Sequence, residues 1–305
     1  MKSQVKFRKL IPYVAILVLL PSVRGRAGGQ GEQTLKPDTA LSPLQPPAAD
    51  MNGEKVLAGL VEHSRLRDRL LDRYSAARTY KLGNTKGKVY AQAVVEVQYR
   101  APGGKTFTTE SEHGGHLSKW ILHKLIGAEA ETSSGKQHRD SSISPHNYSF
   151  QLLGDQQVGP YHCYVVEATP RRKDKYLFSG RIWISQPDFG IVKISGEPAN
   201  KISFWIERVH FVRQYEQIGL FWLPQKDSTV AKVRFSGRKT FSIVHYDYSI
   251  NGVSSEQIRA EMSPLTTRGI QPLPGNPSQD LEGLRLSGIA PGPVVARPAQ
   301  LGEGK

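Results

Sequence analysis

The sequence predicts an α+β fold in which one strongly curved antiparallel sheet carries two apolar helices. Three observations predict it: strand-like runs follow one another closely, turn residues separate them, and two helical segments have broad apolar faces. Successive strands joined by short turns tend to pair antiparallel in chain order. We expect curvature because open twisted sheets with many long strands tend to curl.

Two helices are predicted. Apolar residues recur at three- and four-residue steps over residues 56–74, and Asp50 or Asn52 is placed to cap the first turn. The second helix covers residues 116–126, has a wider apolar surface than a short helix needs, and is expected to end at Gly127. From the sequence alone, it is either a plug in a core or a movable lid over a cavity.

The clearest strand covers residues 88–99, where Val95 and Val97 alternate with polar residues such as Glu96. Residues 76–82 precede it, and residues 105–112 return as a hairpin after a Pro-Gly-Gly turn. The second half is nearly continuous strand and turn. Its predicted strands are residues 148–153, 161–168, 176–185, 191–195, 203–215, 220–235 and 239–250.

The two ends of the chain differ in composition from its middle. Residues 1–27 combine basic residues, an apolar run over residues 10–20 and small residues, the layout of a secretory signal peptide. No Cys follows that run, so we expect an exported protein that is not a lipoprotein. Residues 28–50 are predicted to be a flexible linker, 51–253 the folded domain, and 254–305 a disordered Pro/Gly-rich tail.

The formal net charge is +14, with a pI near 9.8. Lys and Arg are interspersed with acidic residues and form no basic helix, so we expect a solvated surface and no nucleic-acid partner. Cys163 is the only cysteine, which excludes an intramolecular disulfide, and its strand-like surroundings predict a buried side chain.

Three short motifs resemble sites of chemistry and fail on context. Asp188-Phe189-Gly190 lacks the other kinase motifs and precedes a strand, so it is predicted to be a turn. Gly104-Lys105-Thr106 lacks the first glycine of a phosphate-binding loop, and His113 and His116 lack the spacing of a zinc-protease helix. We therefore expect no catalytic residues, no metal site and no cofactor.

The stretch from Tyr176 to Pro224 resembles the bacterial outer-membrane lipoprotein-sorting family, the LolA/LolB-like superfamily of periplasmic carriers. The order of helix, three strands, apolar helix and strand-rich second half is compatible with that superfamily. The motifs that carry the resemblance are Gly180-Arg181-Ile182-Trp183-Ile184, Asp188-Phe189, Gly196-Glu197-Pro198-Ala199 and Gly219-Leu220-Phe221-Trp222-Leu223-Pro224.

The resemblance implies an incomplete β-barrel with helices over its open side, a hydrophobic cavity for acyl chains, and a monomer in the periplasm. The implied partners are a lipid or acylated lipoprotein and a membrane protein as donor or acceptor. Head-group candidates are Arg181 and Arg208, which lie within apolar strands; a surface salt bridge is the alternative for each. For each cavity-lining candidate, ordinary core packing is the alternative; the candidates are Val95, Val97, Phe107, Trp120, Leu125, Phe150, Trp183, Phe204, Phe211 and Trp222.

Two other functions are compatible with the same fold class. One is a protein-interaction or envelope-stress-sensing module, and the other is a hydrolase of envelope material. The absence of a recognisable catalytic constellation in the sequence ranks the hydrolase last. We therefore expect a non-covalent lipid carrier and no enzyme activity.

Overall fold

The computed structural model describes residues 41–101, 104–132, 142–174, 176–201 and 204–262. The predicted signal peptide, most of the predicted linker and most of the predicted tail lie outside these residues. The helices are α1 (Gly53–Leu70), α2 (His116–Thr132) and α3 (Ser255–Met262). The strands are β1 (Arg73–Asn84), β2 (Val89–Arg100), β3 (Lys105–Gly114), β4 (Tyr148–Val158), β5 (Tyr161–Pro170), β6 (Phe178–Ser185), β7 (Ile191–Pro198), β8 (Ile206–Ile218), β9 (Phe221–Val233), β10 (Gly237–Ile250) and β11 (Val253–Ser254).

The strands form one antiparallel sheet in the order β3-β2-β1-β10-β9-β8-β7-β6-β5-β4, with β11 beside β10. Pairing in chain order is confirmed within β1–β3 and within β4–β10. The two groups join through β1 and β10, where Tyr80 lies opposite Ile243. β3 and β4 are therefore the two end strands of this order, and the sheet is not closed.

The sheet is strongly curved, as predicted. Tyr161 on β5 and Trp222 on β9 have ring centroids 4.7 Å apart, although three strands separate β5 from β9. A flat sheet with about 4.8 Å between strands would keep them roughly 19 Å apart. The α+β architecture with an incomplete barrel is thus confirmed.

Helix α1 begins where the sequence predicts. Asn52 is its N-cap, and the side-chain oxygen of Asn52 accepts a 2.9 Å hydrogen bond from the Lys55 backbone nitrogen. The helix ends at Leu70, earlier than predicted, because Tyr74 belongs to β1 and packs in its core. Val56 and Leu60 are the buried residues of α1, and they pack on strands β4–β7.

Helix α2 begins at His116 as predicted but continues to Thr132, so the prediction that it ends at Gly127 is wrong. A Cβ atom at Gly127 would meet open space, and no positive φ is recorded there. Gly127 is therefore not held in the left-handed conformation that ends many helices.

Residues beyond both predicted boundaries contact the folded unit. Gln45 forms a bridge with Asp155 on β4, and the Ser42 hydroxyl accepts a hydrogen bond from the Gln157 backbone nitrogen. At the other end, Ile258 of α3 packs against the core. These contacts involve residues outside 51–253, and the division of the chain into linker, folded domain and tail stays a prediction. In the described part of the chain, no helix has the length and apolarity needed to cross a membrane.

Candidate functional site

Helices α1 and α2 cover different parts of the same sheet face. Val209 and Phe211 lie two positions apart on β8, so their side chains leave the strand on one side. Val209 belongs to the apolar cluster under α2, whereas Phe211 packs against the cluster under α1. We call this side of the sheet the helix-covered face.

The cluster beneath α2, the α2 cluster, has more buried residues than any other apolar cluster in the described part of the chain. Ile121, Leu122, Leu125 and Ile126 of α2 are each at most 7% exposed. They pack on apolar side chains of β1, β2, β8, β9 and β10. The buried sheet residues are Tyr80, Leu82, Ala91, Ala93, Val95, Val97, Ile206, Val209, Ala231, Val233, Phe241 and Ile243.

Polar contacts between α2 and the sheet lie at the surface. Glu112 on β3 accepts a 2.6 Å hydrogen bond from His123 and lies 3.3 Å from the Lys119 ammonium. The His123 side chain is 54% exposed, so solvent screens this contact. The hydrogen bond to His123 is the main cause of the lowered pKa of Glu112. Two glycines, Gly114 and Gly115, connect β3 to α2.

Four ionisable side chains cross the helix-covered face at one end of the α2 cluster. Arg78 on β1 lies opposite His245 on β10, and Arg213 on β8 lies opposite Asp227 on β9. Asp227 accepts a 3.0 Å hydrogen bond from His245 and a shorter one from Arg213. We call these four residues the charged row.

The charged row is buried unevenly. Arg78 is 1% exposed, and its guanidinium lies 5.9 Å from the Phe107 ring centroid. The Arg213 side chain is 33% exposed, against 13% for Asp227 and 2% for His245. Arg213 is therefore the member of the row that a ligand can reach most readily.

Charge within the row controls its protonation. Burial raises the pKa of Asp227, but the charge of Arg213 and the hydrogen bond from His245 outweigh burial and lower it to about 2. Burial lowers the pKa of His245, and the positive charges of Arg78 and Arg213 lower it further. The hydrogen bond to Asp227 and its negative charge raise this pKa but do not outweigh the lowering. At neutral pH the row thus holds two guanidinium groups, one carboxylate and a neutral imidazole.

The structure brings together six of the ten residues that the sequence predicts to line a cavity. Val95, Val97 and Leu125 are buried in the α2 cluster, and Phe107 packs against it. Phe150 and Phe211 pack against the cluster under α1 on the same face. These six residues share one surface, and whether it binds a ligand remains a prediction.

Four predicted cavity residues lie elsewhere. Trp183 and Trp222 belong to a separate cluster on the other side of β5–β7, because Trp183 alternates with Ile182, which faces α1. Trp120 is 45% exposed on α2, and Phe204 is 70% exposed before β8. These four residues therefore do not share the helix-covered face with the other six, and their role in binding a ligand stays a prediction.

The two predicted head-group arginines are both exposed. Arg181 alternates with Ile182 and therefore lies on the side of the sheet away from the helices. Arg208 is 75% exposed and lies 3.8 Å from Glu197. Neither belongs to the charged row on the helix-covered face.

The charged row had a sequence signal that was missed. Arg78 occupies an alternate position of β1 between Ala76 and Tyr80, both of which are buried. Asp227 and His245 likewise lie on the same side of their strands as buried apolar residues. On β10, for example, buried Ile243 lies two positions before His245. A charged residue at a strand position whose side chain should face the core is the sequence feature that identifies such a row.

The rejected motifs have structural roles. Asp188-Phe189-Gly190 forms the β6–β7 turn, as predicted, and Asp188 accepts a 2.7 Å hydrogen bond from the Trp222 indole. Glu112 contacts α2, as described above. Within the described ranges, no three His, Cys, Asp or Glu side chains gather in a way that suits a metal ion.

Several solved structures are similar to this chain. A LolA superfamily protein of Nitrosomonas europaea is 11% identical, with a TM-score of 0.37 over 65% of this chain and 93% of its own. A putative outer-membrane lipoprotein-sorting domain of Vibrio parahaemolyticus is 13% identical, with a TM-score of 0.40 over 68% and 98%. The MucA/MucB complex of Pseudomonas aeruginosa matches at 11% identity, with a TM-score of 0.25 over 67% and 95%.

These structures include the superfamily that the sequence resembles. No protein-family model matches the sequence, and no curated protein does.

Proposed function

We propose that this protein is a periplasmic carrier that binds an acyl-chain lipid, or the acyl chain of a lipoprotein, non-covalently and without catalysis. The observation that carries the proposal is the α2 cluster: a broad apolar sheet surface closed by one helix and bounded at one end by buried charge. Lipids combine the same two features, an apolar chain and a polar head.

The acyl chain would lie along the α2 cluster. From Ile206 to Arg213, strand β8 extends for roughly 20 Å at about 3.3 Å per residue. Burial of a chain of about 14 methylenes contributes roughly 11 kcal/mol, from which association and ordering subtract several. The remainder corresponds to an affinity near the micromolar range, which suits a carrier that must also release its cargo.

The head group would meet the charged row. Arg213 is partly exposed and Arg78 lies deeper, so a carboxylate or phosphate beside Arg213 would enter a region of positive charge. Asp227 partly offsets that charge in the unliganded protein. The row therefore favours an anionic head group over a neutral one.

Helix α2 would move to admit the chain. Apart from Ser118, the buried residues of α2 are apolar, and its contacts to Glu112 are partly exposed, so displacement breaks no buried ion pair among those described. An acyl chain would replace the contacts that Leu122 and Leu125 lose. Gly115, which lies between β3 and α2 with open space around it, provides a flexible connection at the start of the helix.

Uptake of a fluorescent fatty acid by delipidated protein tests the proposal, with the corresponding fatty alcohol as the neutral ligand. We expect micromolar binding of the acid and weaker binding of the alcohol. Arg213→Gln should reduce affinity for the acid by about tenfold or more, since charged hydrogen bonds contribute roughly 1.5–3 kcal/mol. The alcohol should bind both proteins equally.

The matched control is Arg181→Gln, which removes an exposed arginine from the other side of the sheet. Its affinity for the acid should equal that of the wild type. No uptake of either ligand, together with no lipid in native mass spectra of protein extracted from bacterial periplasm, would contradict the carrier function. Equal loss in both variants would contradict only the assignment of the head-group site.

A further inference from the structure

An aromatic patch lies at the end of the sheet away from the charged row. It consists of Phe204 and Trp205, which precede β8, and Phe235 in the β9–β10 turn; we call it the aromatic tip. The side chains are 70%, 42% and 89% exposed, respectively. Isolated exposed apolar residues are common, but three adjoining aromatic rings require an explanation.

The aromatic tip is an ordered surface. The ring centroids of Phe204 and Trp205 are 5.5 Å apart, and those of Trp205 and Phe235 are 6.3 Å apart. The Trp205 carbonyl accepts a 2.9 Å hydrogen bond from the Arg234 backbone nitrogen, which ties the start of β8 to the end of β9. The tip is therefore held by backbone contacts that do not depend on a ligand.

Basic side chains surround the tip. The Arg234 guanidinium lies 4.3 Å from the Phe204 ring centroid. A cavity of about 440 Å³ beside it is lined by Arg208, Lys232 and Arg238, with Glu207, His210 and Val230. Glu207 pairs with Lys232 and Arg234, and Glu197 with Arg208. Four cations thus face two carboxylates, which leaves an excess of positive charge.

We propose that the aromatic tip docks on the surface of a membrane that contains anionic phospholipids. Aromatic rings partition into the head-group region of a bilayer, and neighbouring Lys and Arg side chains are attracted to anionic lipids. The tip and its basic rim combine both properties on one exposed end of the sheet. This inference is independent of what the α2 cluster binds.

The tip also adjoins the α2 cluster. Ile206 follows Trp205 directly, Val233 precedes Arg234, and both Ile206 and Val233 are buried in that cluster. A protein docked through the tip would therefore place one end of the α2 cluster at the bilayer surface. Lipid would then have a short path between membrane and protein.

Vesicle sedimentation tests the docking. We expect the full chain to bind phosphatidylglycerol vesicles and to bind phosphatidylcholine vesicles weakly, with binding to the former falling as salt rises from about 0.1 to 0.5 M. The double variant F204S/F235S should bind phosphatidylglycerol vesicles at least about tenfold less. Both side chains are largely exposed, so the variant should unfold at the wild-type temperature.

The matched control is Leu220→Ser. Leu220 is 66% exposed in the β8–β9 turn, at the opposite end of β9 from Phe235. It should bind vesicles like the wild type. Brominated lipids should quench wild-type tryptophan fluorescence, and Trp205→Phe should remove most of that quenching.

Two outcomes would overturn the docking. One is equal vesicle binding by the wild type and F204S/F235S; the other is no binding of phosphatidylglycerol vesicles by the wild type. A failure of fatty-acid uptake would leave these results unaffected, because no acyl ligand is needed for sedimentation.

Discussion

Replacing Asp227 by Asn should destabilise the protein while strengthening its binding of an anionic lipid. In the folded protein, the pKa of Asp227 lies at about 2 instead of 3.8, which corresponds to about 2 kcal/mol of stability at neutral pH. That stabilisation comes from Arg213 and His245, which contact the carboxylate. We expect Asp227→Asn to lose it, at a cost of about 2 kcal/mol.

The same substitution should alter the response to acid. A carboxylate whose pKa is lowered by folding stabilises the protein above its unfolded pKa, and that contribution is lost as pH falls through the folded value. For Asp227 the window lies between the values of 3.8 and about 2. Over that window, the wild type should lose stability more steeply than Asp227→Asn.

Lipid binding should change in the opposite direction to stability. Removal of the carboxylate takes away the negative charge of the charged row, so the site becomes more positive. At an effective dielectric constant near 20, a unit charge about 5 Å away is worth up to roughly 3 kcal/mol. We expect the affinity for fatty acid to rise by about tenfold, with no change for the fatty alcohol.

Urea unfolding at several pH values measures the stability, and titration with the two ligands measures the affinity. Asp68→Asn is the control, because Asp68 forms an exposed ion pair with Arg67 and its loss should cost under about 0.5 kcal/mol. If Asp227→Asn costs no more than Asp68→Asn, or weakens binding of the acid, the account of the charged row is wrong.

Three further predictions concern α2 and the core. Leu122→Ala should cost about 2–4 kcal/mol in urea unfolding, because Leu122 is 1% exposed, whereas Leu66→Ala, at 42% exposure, should cost far less. Gly114→Ala should destabilise the protein, because φ at Gly114 is +131° and an added Cβ would lie 2.5 Å from the Tyr90 carbonyl oxygen. An added Cβ at Gly115 meets open space, so Gly115→Ala should keep wild-type stability. Because it stiffens the connection to α2, Gly115→Ala should exchange lipid more slowly. Burial and the Asp188 charge raise the pKa of Cys163 to about 12, so a thiol reagent at pH 8 should label it in guanidinium but not in the native protein; equal labelling in both would contradict its burial.

The sequence predicts the strands well because each carries a local alternation. Val95 and Val97 on β2 lie on the predicted side, and the turn at Asp188 lies where a hairpin was expected. The pairing of β1 with β10 has no such local signal. It joins Tyr80 to Ile243, and only the packing of both under α2 selects it.

The candidate site was less accessible to prediction because hydrophobicity does not specify a side of the sheet. Trp183 and Phe211 are both aromatic and both within apolar strands, yet one belongs to the opposite cluster. The alternation of side chains along each strand distinguishes them, and the same alternation places the Arg78 side chain in the interior. Arg181 has apolar neighbours in sequence, but neighbours such as Ile182 lie on the other side of its own strand.

The β1–β10 pairing also has a consequence for how the chain folds. Strands β4–β10 form a meander whose neighbours follow one another in sequence, so this part can assemble from local contacts alone. The hairpins of β1–β3 are synthesised first but gain their place in the sheet only when β10 exists. Completion of the sheet therefore depends on the formation of β10, the last strand of the meander. A circular permutant could begin before β4 and carry α1 and β1–β3 after α3. Strands β1–β3 would then follow β10, the strand that β1 pairs with. The smaller sequence separation of this pairing should speed folding.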